Sequence, residues 1–428
     1  MKTGQFKSIN LNITDNIYLF GDKNVTEFKL RFKRPNTLLN KIFKIIDSKK
    51  FKDTCNRKGI TNRQMMVDSI KIIFMSMYFD YTVSNVVNEL NRSAKLRKFA
   101  GFSNEIPAAE QIYEYMSRYS AEQYCKIVNS TLMRFNKQNS GTYNRFIADA
   151  TPSACDFNND KHFIPKEHLE KLNLKWGFST TKGHFIGFKV TVVLNEKTMT
   201  PVSILIHSGA PNDSKIFDEV LQDLQKRRII KRKDIILFDR GYYGYKNYQI
   251  GINKYRIVPI IFPKESYKEE KLKGQMSYPM EVFSRNKKAK NLKKDIDSIA
   301  SILYQKLQNW KELKPIRGII EDFFKVAKDA FGLGEFHSYT VESMSRKIYL
   351  CLLLTALIVQ QGYKTKTQLQ RLAEGNVVQD TPVSKKTNKK KNNTKKDKKS
   401  EAPLKTGQQE LEINKKEEQI SLLKFCSV

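Results

Sequence analysis

Cysteine and histidine are scarce in this sequence, which limits the metal chemistry that it can support. The 428 residues include five cysteines and five histidines, and no Cys-x-x-Cys or Cys-x-His pair occurs. This scatter argues against a thiolate zinc site and against a disulfide framework, and it is typical of reduced thiols. Any metal site must therefore be built from carboxylates.

Long apolar segments are also lacking. The longest, IYLCLLLTALIV, covers residues 348–359 and falls well short of the ~20 residues that span a bilayer. It predicts a buried core helix. The first residues, MKTGQFKSIN, lead into no apolar segment of the secretory type. We therefore expect a cytoplasmic protein without membrane contact.

Acidic residues are too few to balance the basic ones. The formal net charge is +33; residues 385–399 hold nine Lys and one Asp, so removing them subtracts eight charges and leaves +25. A field of this size attracts polyanions, and duplex nucleic acid is the polyanion that fits best. Residues 363–428 are predicted to form a basic, largely disordered tail that attracts DNA.

Residues 1–140 show helix signals and almost no strand signal, which predicts an all-helical N-terminal domain. Thr61 with Gln64 and Ser120 with Gln123 match the capping box at a helix start. Short helices, tight turns and basic charge suit a helix-turn-helix reader of the DNA major groove. A plain helical bundle that serves as scaffold or dimer contact fits the same pattern equally well.

Residues 141–362 predict an α/β domain. Five strand patterns occur in the order RFIADATP, FIGFKVTVVLNE, TPVSILIHSG, DIILFD and YRIVPIIFP, with an amphipathic helix between the third and fourth. This is the order of an RNase H-like core with a mixed five-stranded sheet and flanking helices. The fourth strand must reach the first by a crossover and lie parallel to it. Asp149 and Asp239 occupy corresponding places near the C-terminal ends of these two strands, so we expect their carboxylates to share one site.

A third acid follows in the segment PIRGIIEDFFKVAKDAFGL, which predicts a helix. At ~100° per residue, Arg317, Glu321 and Lys328 fall within roughly 40° of one another. The apolar side chains of this helix form a face centred about 90° away. Glu321 therefore lies at the edge of the buried face and can point toward the two aspartates, with Arg317 and Lys328 placed to hold phosphates.

These motifs resemble the DDE transposases of bacterial and archaeal insertion sequences. The resemblance covers residues 145–360 and includes ADAT, GFKVTVV, HSGAPNDSKIF and FDRGYYGY. Around the third acid, the sequence resembles the group of transposases with a Tyr-x2-Arg-x3-Glu-x6-Lys signature. The spacing of Arg317, Glu321 and Lys328 matches this signature. Lys314 stands at the tyrosine position, and Thr191 stands where the family usually has His.

The resemblance implies a prokaryotic, nucleoid-associated enzyme that cleaves the ends of an insertion sequence and joins the 3′-hydroxyls to target DNA. It implies Asp149, Asp239 and Glu321 as catalytic ligands of two Mg²⁺ or Mn²⁺ ions, with Asp149 bridging. Hard oxygen ligands select these cations, and a metal pair suits in-line attack on phosphorus. The residues expected to contact DNA are Arg317, Lys328, Arg240 and Lys189.

The expected partners are double-stranded DNA, as terminal inverted repeats and as target, and a second copy of the chain in an active homodimer. Two other functions use the same features. An RNase H-like nuclease without strand transfer needs the same acids, and a non-catalytic DNA-binding protein descended from a transposase keeps the fold and charge. Inverted repeats beside the coding sequence would favour the transposase.

Overall fold

The N-terminal part of the chain is built from helices, as the sequence predicts. The computed structural model describes residues 38–102, 105–136, 143–155, 166–180, 182–276, 287–336 and 340–362. Within these ranges, seven helices precede the first strand: α1 (Leu38–Ile46), α2 (Lys49–Arg57), α3 (Arg63–Phe79), α4 (Val83–Arg92), α5 (Ala94–Ala100), α6 (Ala109–Ser117) and α7 (Ala121–Leu132).

The two predicted capping boxes have different outcomes. Ser120 caps α7, because its hydroxyl accepts from the Gln123 N–H while the Gln123 side chain accepts from the Ser120 N–H. The prediction for Thr61 is wrong by one residue: Asn62 caps α3 by accepting from the Met65 N–H. Asn and Thr are both favourable N-cap residues. The Thr61 hydroxyl instead forms a hydrogen bond with the Tyr119 hydroxyl at 3.1 Å.

A mixed sheet follows the helices. Its strands are β1 (Arg145–Cys155), β2 (Lys175–Ser179), β3 (Gly183–Asn195), β4 (Pro201–Ser208), β5 (Ile235–Phe238), β6 (Val258–Ile261) and β7 (Glu335–Phe336). The order across the sheet is β2-β3-β1-β5-β6, with β4 also on β3 and β7 also on β1.

The strand pairing confirms the predicted RNase H-like topology. β1, β3 and β4 form the antiparallel meander, while β5 lies parallel to β1 and β6 parallel to β5. The predicted count of five strands is too low, because β2 and β7 extend the sheet to seven. β2 pairs with the first residues of β3, and β7 adds two residues beside the end of β1.

Helices cover the sheet and complete the core. They are α8 (Lys166–Lys171), α9 (Asp213–Lys226), α10 (Tyr245–Gln249), α11 (Glu269–Met276), α12 (Lys287–Gln308), α13 (Lys314–Asp329) and α14 (Val341–Gln360). The apolar run at 348–359 lies in α14 and is buried throughout, as predicted for a core helix. α14 packs against α7, α13 and β4, so it joins the helical region to the sheet. The described helices include none with the length and apolar character to cross a membrane.

The predicted tail at 363–428 and the proposed domain boundary near residue 140 lie outside the described residues. Four of the five cysteines lie within the described residues, and all four are free thiols.

Candidate active site

The register of two parallel strands brings the two aspartates together. Ala148 of β1 lies opposite Phe238 at the end of β5. The next residues in sequence are Asp149, which lies within β1 and not near its end as expected, and Asp239, which directly follows β5. The register therefore sets the two aspartates side by side. The Asp149 carboxylate accepts from the Ala150 N–H at 2.8 Å, which fixes one of its oxygens.

A buried tyrosine holds the turn that carries Asp239. The chain leaves β5 into a single 3₁₀ turn, Arg240–Tyr242, and Tyr242 is fully buried at its end. The Tyr242 ring packs against Phe238 at 5.1 Å and Phe217 at 6.4 Å between centroids. This aromatic cluster fixes the backbone that follows Asp239.

Helix α13 adds the third acid and a shared cation. Arg317 Nη2 lies 3.3 Å from an Asp149 oxygen and 3.4 Å from an Asp239 oxygen, while Nη1 lies 2.8 Å from a Glu321 oxygen. One guanidinium therefore contacts all three carboxylates. Asp149 is 15% exposed and Glu321 55%, so the cluster runs from the protein interior to solvent.

The charges in this cluster do not cancel. Three carboxylates face one guanidinium, which leaves a formal excess of two negative charges. Burial raises the pKa of Asp149 to about 7; the Arg317 charge lowers it and the Asp239 charge raises it further. A second cation beside these acids would relieve the repulsion.

The cluster lines an open cleft of about 590 Å³. α13 forms part of its wall and contributes Phe324, Lys325 and Lys328. The pKa of Lys328 is lowered by burial and then by the charge of Lys182, so two ammonium groups lie near each other in this region. The same wall carries Asp329, so both cationic and acidic side chains lie along it.

Lys189 lines the cleft, but it is bound internally. Its ammonium lies 2.8 Å from an Asp213 oxygen and donates to the Pro211 carbonyl at 2.8 Å. Lys189 is one of the residues expected to contact DNA, and its pairing with Asp213 is not evident from the sequence. Asp213 lies in the first turn of α9, where an acid also complements the helix dipole.

Asp213 also contacts the turn after Asp239. A Cβ atom at Gly241 would lie 2.7 Å from an Asp213 carboxylate oxygen, so only glycine fits there without a shift. Arg240, another proposed DNA contact, is exposed and lies over the Trp310 ring at 5.5 Å. Arg240 is not among the described residues that line the cleft.

The donor set at the acid cluster suits a hard divalent cation. It consists of carboxylate oxygens, which Mg²⁺ and Mn²⁺ prefer, and one of these carboxyls is buried with a raised pKa. As the side chains stand, the described residues contain no group of three acids, histidines or cysteines arranged to hold a metal. Arg317 contacts all three acids, so cation binding requires it to withdraw from part of the cluster.

Comparison with protein families agrees with this fold. The profile of the family described as Transposase DDE domain matches residues 140–357, which is just over half of the chain and contains all three acids and Arg317. This match assigns the chain to the DDE class of transposases. The chain belongs to this family. A comparison with curated proteins gives no match.

Proposed function

We propose that this protein cleaves the ends of an insertion sequence and joins the freed 3′-hydroxyls to target DNA. The observation that carries this proposal is the meeting of three carboxylates from β1, the end of β5 and α13 on one guanidinium. Membership of the DDE transposase family supports it. The excess of basic residues supports DNA as the substrate.

We propose Asp149, Asp239 and Glu321 as the ligands of two Mg²⁺ or Mn²⁺ ions. Asp149 is the shared ligand, because it is the most buried of the three and has Asp239 as a charged neighbour. When bound, such ions activate an attacking oxygen and stabilise the leaving oxygen of a phosphodiester. The protein's part is to hold its acids at fixed strand and helix positions.

Arg317 has a second task in this proposal. Its guanidinium offsets one of the three negative charges in the free protein, and it is placed to hold a substrate phosphate once divalent cations offset the others. Lys328 serves the same phosphate-binding surface from the next turns of α13. Arg240 is an exposed contact for flanking DNA. Lys189 acts by holding Asp213 against the turn after Asp239 and not as a free DNA contact.

The remaining proposals concern the assembly. We propose that the N-terminal helices recognise the inverted repeats through a helix-turn-helix, and that a homodimer holds both ends. The alternative is that these helices form a plain bundle that serves as scaffold or dimer contact. A cytoplasmic, nucleoid-associated location in a prokaryote goes with this function.

The test uses full-length protein and linear DNA that carries the sequences flanking the coding region. Asp149→Asn, Asp239→Asn and Glu321→Gln should each lower cleavage in Mg²⁺ or Mn²⁺ at least about 1000-fold, because a lost metal ligand removes several kcal/mol of transition-state stabilisation. Binding in a gel-shift assay should be kept, since the basic surface is unchanged.

The matched control is Glu312→Gln, an exposed acid in the turn before α13, which should cut at the wild-type rate. If Glu321→Gln cuts DNA as fast as wild type, Glu321 is not a catalytic ligand. A protein that cuts but never joins ends to a plasmid target would be a nuclease without strand transfer.

A further inference from the structure

Two large aromatic side chains stand exposed beside the acid cleft. Trp176 is 54% exposed and Phe178 is 59% exposed, and both lie on β2. Residues two apart on a strand share one face of a sheet, so the two rings project together. β2 is an edge strand of five residues, and its outer side is free of further strands among the described residues.

The backbone beneath these rings is firmly held. All five residues of β2 pair with β3, with Phe178 opposite His184. A Cβ atom at Gly177, between the two aromatics, would lie 2.8 Å from the Phe185 ring and 2.9 Å from the Ala210 side chain. The strand is therefore pressed against the protein at its midpoint, and it presents the two rings from a rigid position.

One member of the aromatic pair, Phe178, lines the candidate active site, and Trp176 lies two residues before it on the same strand. Phe178, Ser179 and Thr180 line the same cleft as the three acids. The hairpin that follows β2 carries Lys182, whose ammonium donates to the Gly334 carbonyl and lies 3.6 Å from Glu335. Lys325 and Lys328 line the cleft from α13. Flat apolar faces thus lie next to cationic groups at the mouth of the acid cleft.

We propose that Trp176 and Phe178 form a stacking platform for an unpaired nucleotide of the DNA strand that enters the acid cleft. Aromatic faces bind bases by stacking, and nearby lysines hold the backbone phosphates. A base inside a duplex already stacks on both neighbours, so this surface selects a nucleotide that has left the helix. The proposal rests on the proposed function, because it assumes that DNA occupies the cleft.

Tryptophan fluorescence gives a direct readout of this contact. The chain has two tryptophans, and Trp310→Phe leaves Trp176 as the only one. The variant is titrated without divalent metal with three probes: a short dT oligonucleotide, an abasic oligonucleotide of the same length, and a duplex of that length. Binding is followed separately by the anisotropy of a label on the DNA.

We expect dT to quench Trp176 emission and the abasic strand to bind without quenching, because the abasic strand carries the phosphates alone. Adding Phe178→Ala should weaken dT binding roughly 5- to 100-fold, in line with the loss of one base stack, and leave abasic binding unchanged. The matched control is Tyr143→Ala, which removes an aromatic side chain that is 54% exposed and lies two residues before β1. This variant should change neither dT binding nor abasic binding.

Unchanged Trp176 emission at saturating dT would overturn the platform. So would a Phe178→Ala protein that loses dT and abasic binding equally, since that result indicates a charge or folding effect. If Trp176→Ala instead converts a dimer to a monomer in sedimentation, the rings form a contact between two copies and the proposal is wrong. Metal-dependent cleavage by wild type that is lost in Glu321→Gln tests the proposed function independently of all these results.

Discussion

Two cations of this protein each lie among carboxylates, one in the helical region and one in the cleft. Lys71 of α3 is fully buried, and its ammonium lies 3.1 Å from Asp47 and 3.5 Å from Asp68. It also donates to the Ala100 carbonyl at 2.9 Å and the Gly101 carbonyl at 3.2 Å. Arg317 of α13 is 23% exposed and contacts three acids beside an open cleft.

The two clusters differ in whether they are complete. Lys71 has polar acceptors for all three of its donors, as a structural charge inside a protein requires. Arg317 faces more negative charge than it can neutralise, and its Nε is buried with no hydrogen-bond partner within the described chain. A buried charge network that is left incomplete beside a cleft indicates a site built for a further cation or phosphate.

The same contrast separates two acids with similar pKa values. Burial raises the pKa of Glu89 in α4 to about 7, as it does for Asp149. Glu89 lies 3.6 Å from Arg92, whereas Asp149 shares Arg317 with two further acids. A raised pKa therefore does not by itself identify an active site, and the proposed site rests instead on the convergence of several acids in a cleft.

The largest expected effect that separates the two cations is on stability. Lys71→Met should lower the free energy of unfolding by about 3–5 kcal/mol, because two partly buried aspartates and two carbonyls lose their partner. Arg317→Met should lower it by no more than about 2 kcal/mol, because water reaches the acids of the cleft. Urea unfolding at neutral pH measures both values.

Equal losses for Lys71→Met and Arg317→Met would mean that Arg317 is as structural as Lys71. The contrast between a complete and an incomplete cluster would then lose its support.

The next largest effect is the stabilisation of Arg317→Met by a divalent cation that takes the place of the lost guanidinium. If the acids form a cation site, Mn²⁺ should stabilise Arg317→Met more than wild type, because no guanidinium competes for the carboxylates. At 100 times its dissociation constant the ion adds about 2.7 kcal/mol. Thermal unfolding of both proteins, with KCl at matched ionic strength as control, measures this gain. Lys71→Met should respond as wild type does, and a larger response there would place the cation outside the cleft.

The order and direction of the strands around the two aspartates could be predicted from the sequence. Strand patterns rich in apolar residues mark β1, β3 and β5, and the crossover rule allows only a parallel β5 beside β1. β2 escaped prediction because KWGFS has only one fully buried residue and no regular alternation. β7 is two residues long and forms only because its partner strand is already in place.

In the site, too, some placements follow from the sequence and others do not. Arg317 and Glu321 are one helical turn apart, so their placement on one stripe follows from spacing. The pairing of Lys189 with Asp213 joins β3 to the start of α9, and no local pattern predicts it. Likewise, the packing of Arg240 on Trp310 depends on how the turn before α13 meets the end of β5. The catalytic and DNA-binding roles of these residues stay predictions.

The smallest effect tests the contrast between Glu89 and Asp149. The pKa of Glu89 is raised from 4.5 to about 7, so the folded protein binds this proton more tightly than the unfolded chain does. The resulting stabilisation is complete below the unfolded pKa and is lost as the pH rises through 7.

Glu89→Gln keeps a neutral side chain at every pH. Its stability relative to wild type should therefore increase between pH 5 and 7, by about 2 kcal/mol. Urea unfolding at several pH values measures the difference, and cleavage at a fixed pH should be unchanged. A flat difference would show that water or a counter-ion solvates Glu89, and a loss of cleavage would show that this acid serves the reaction.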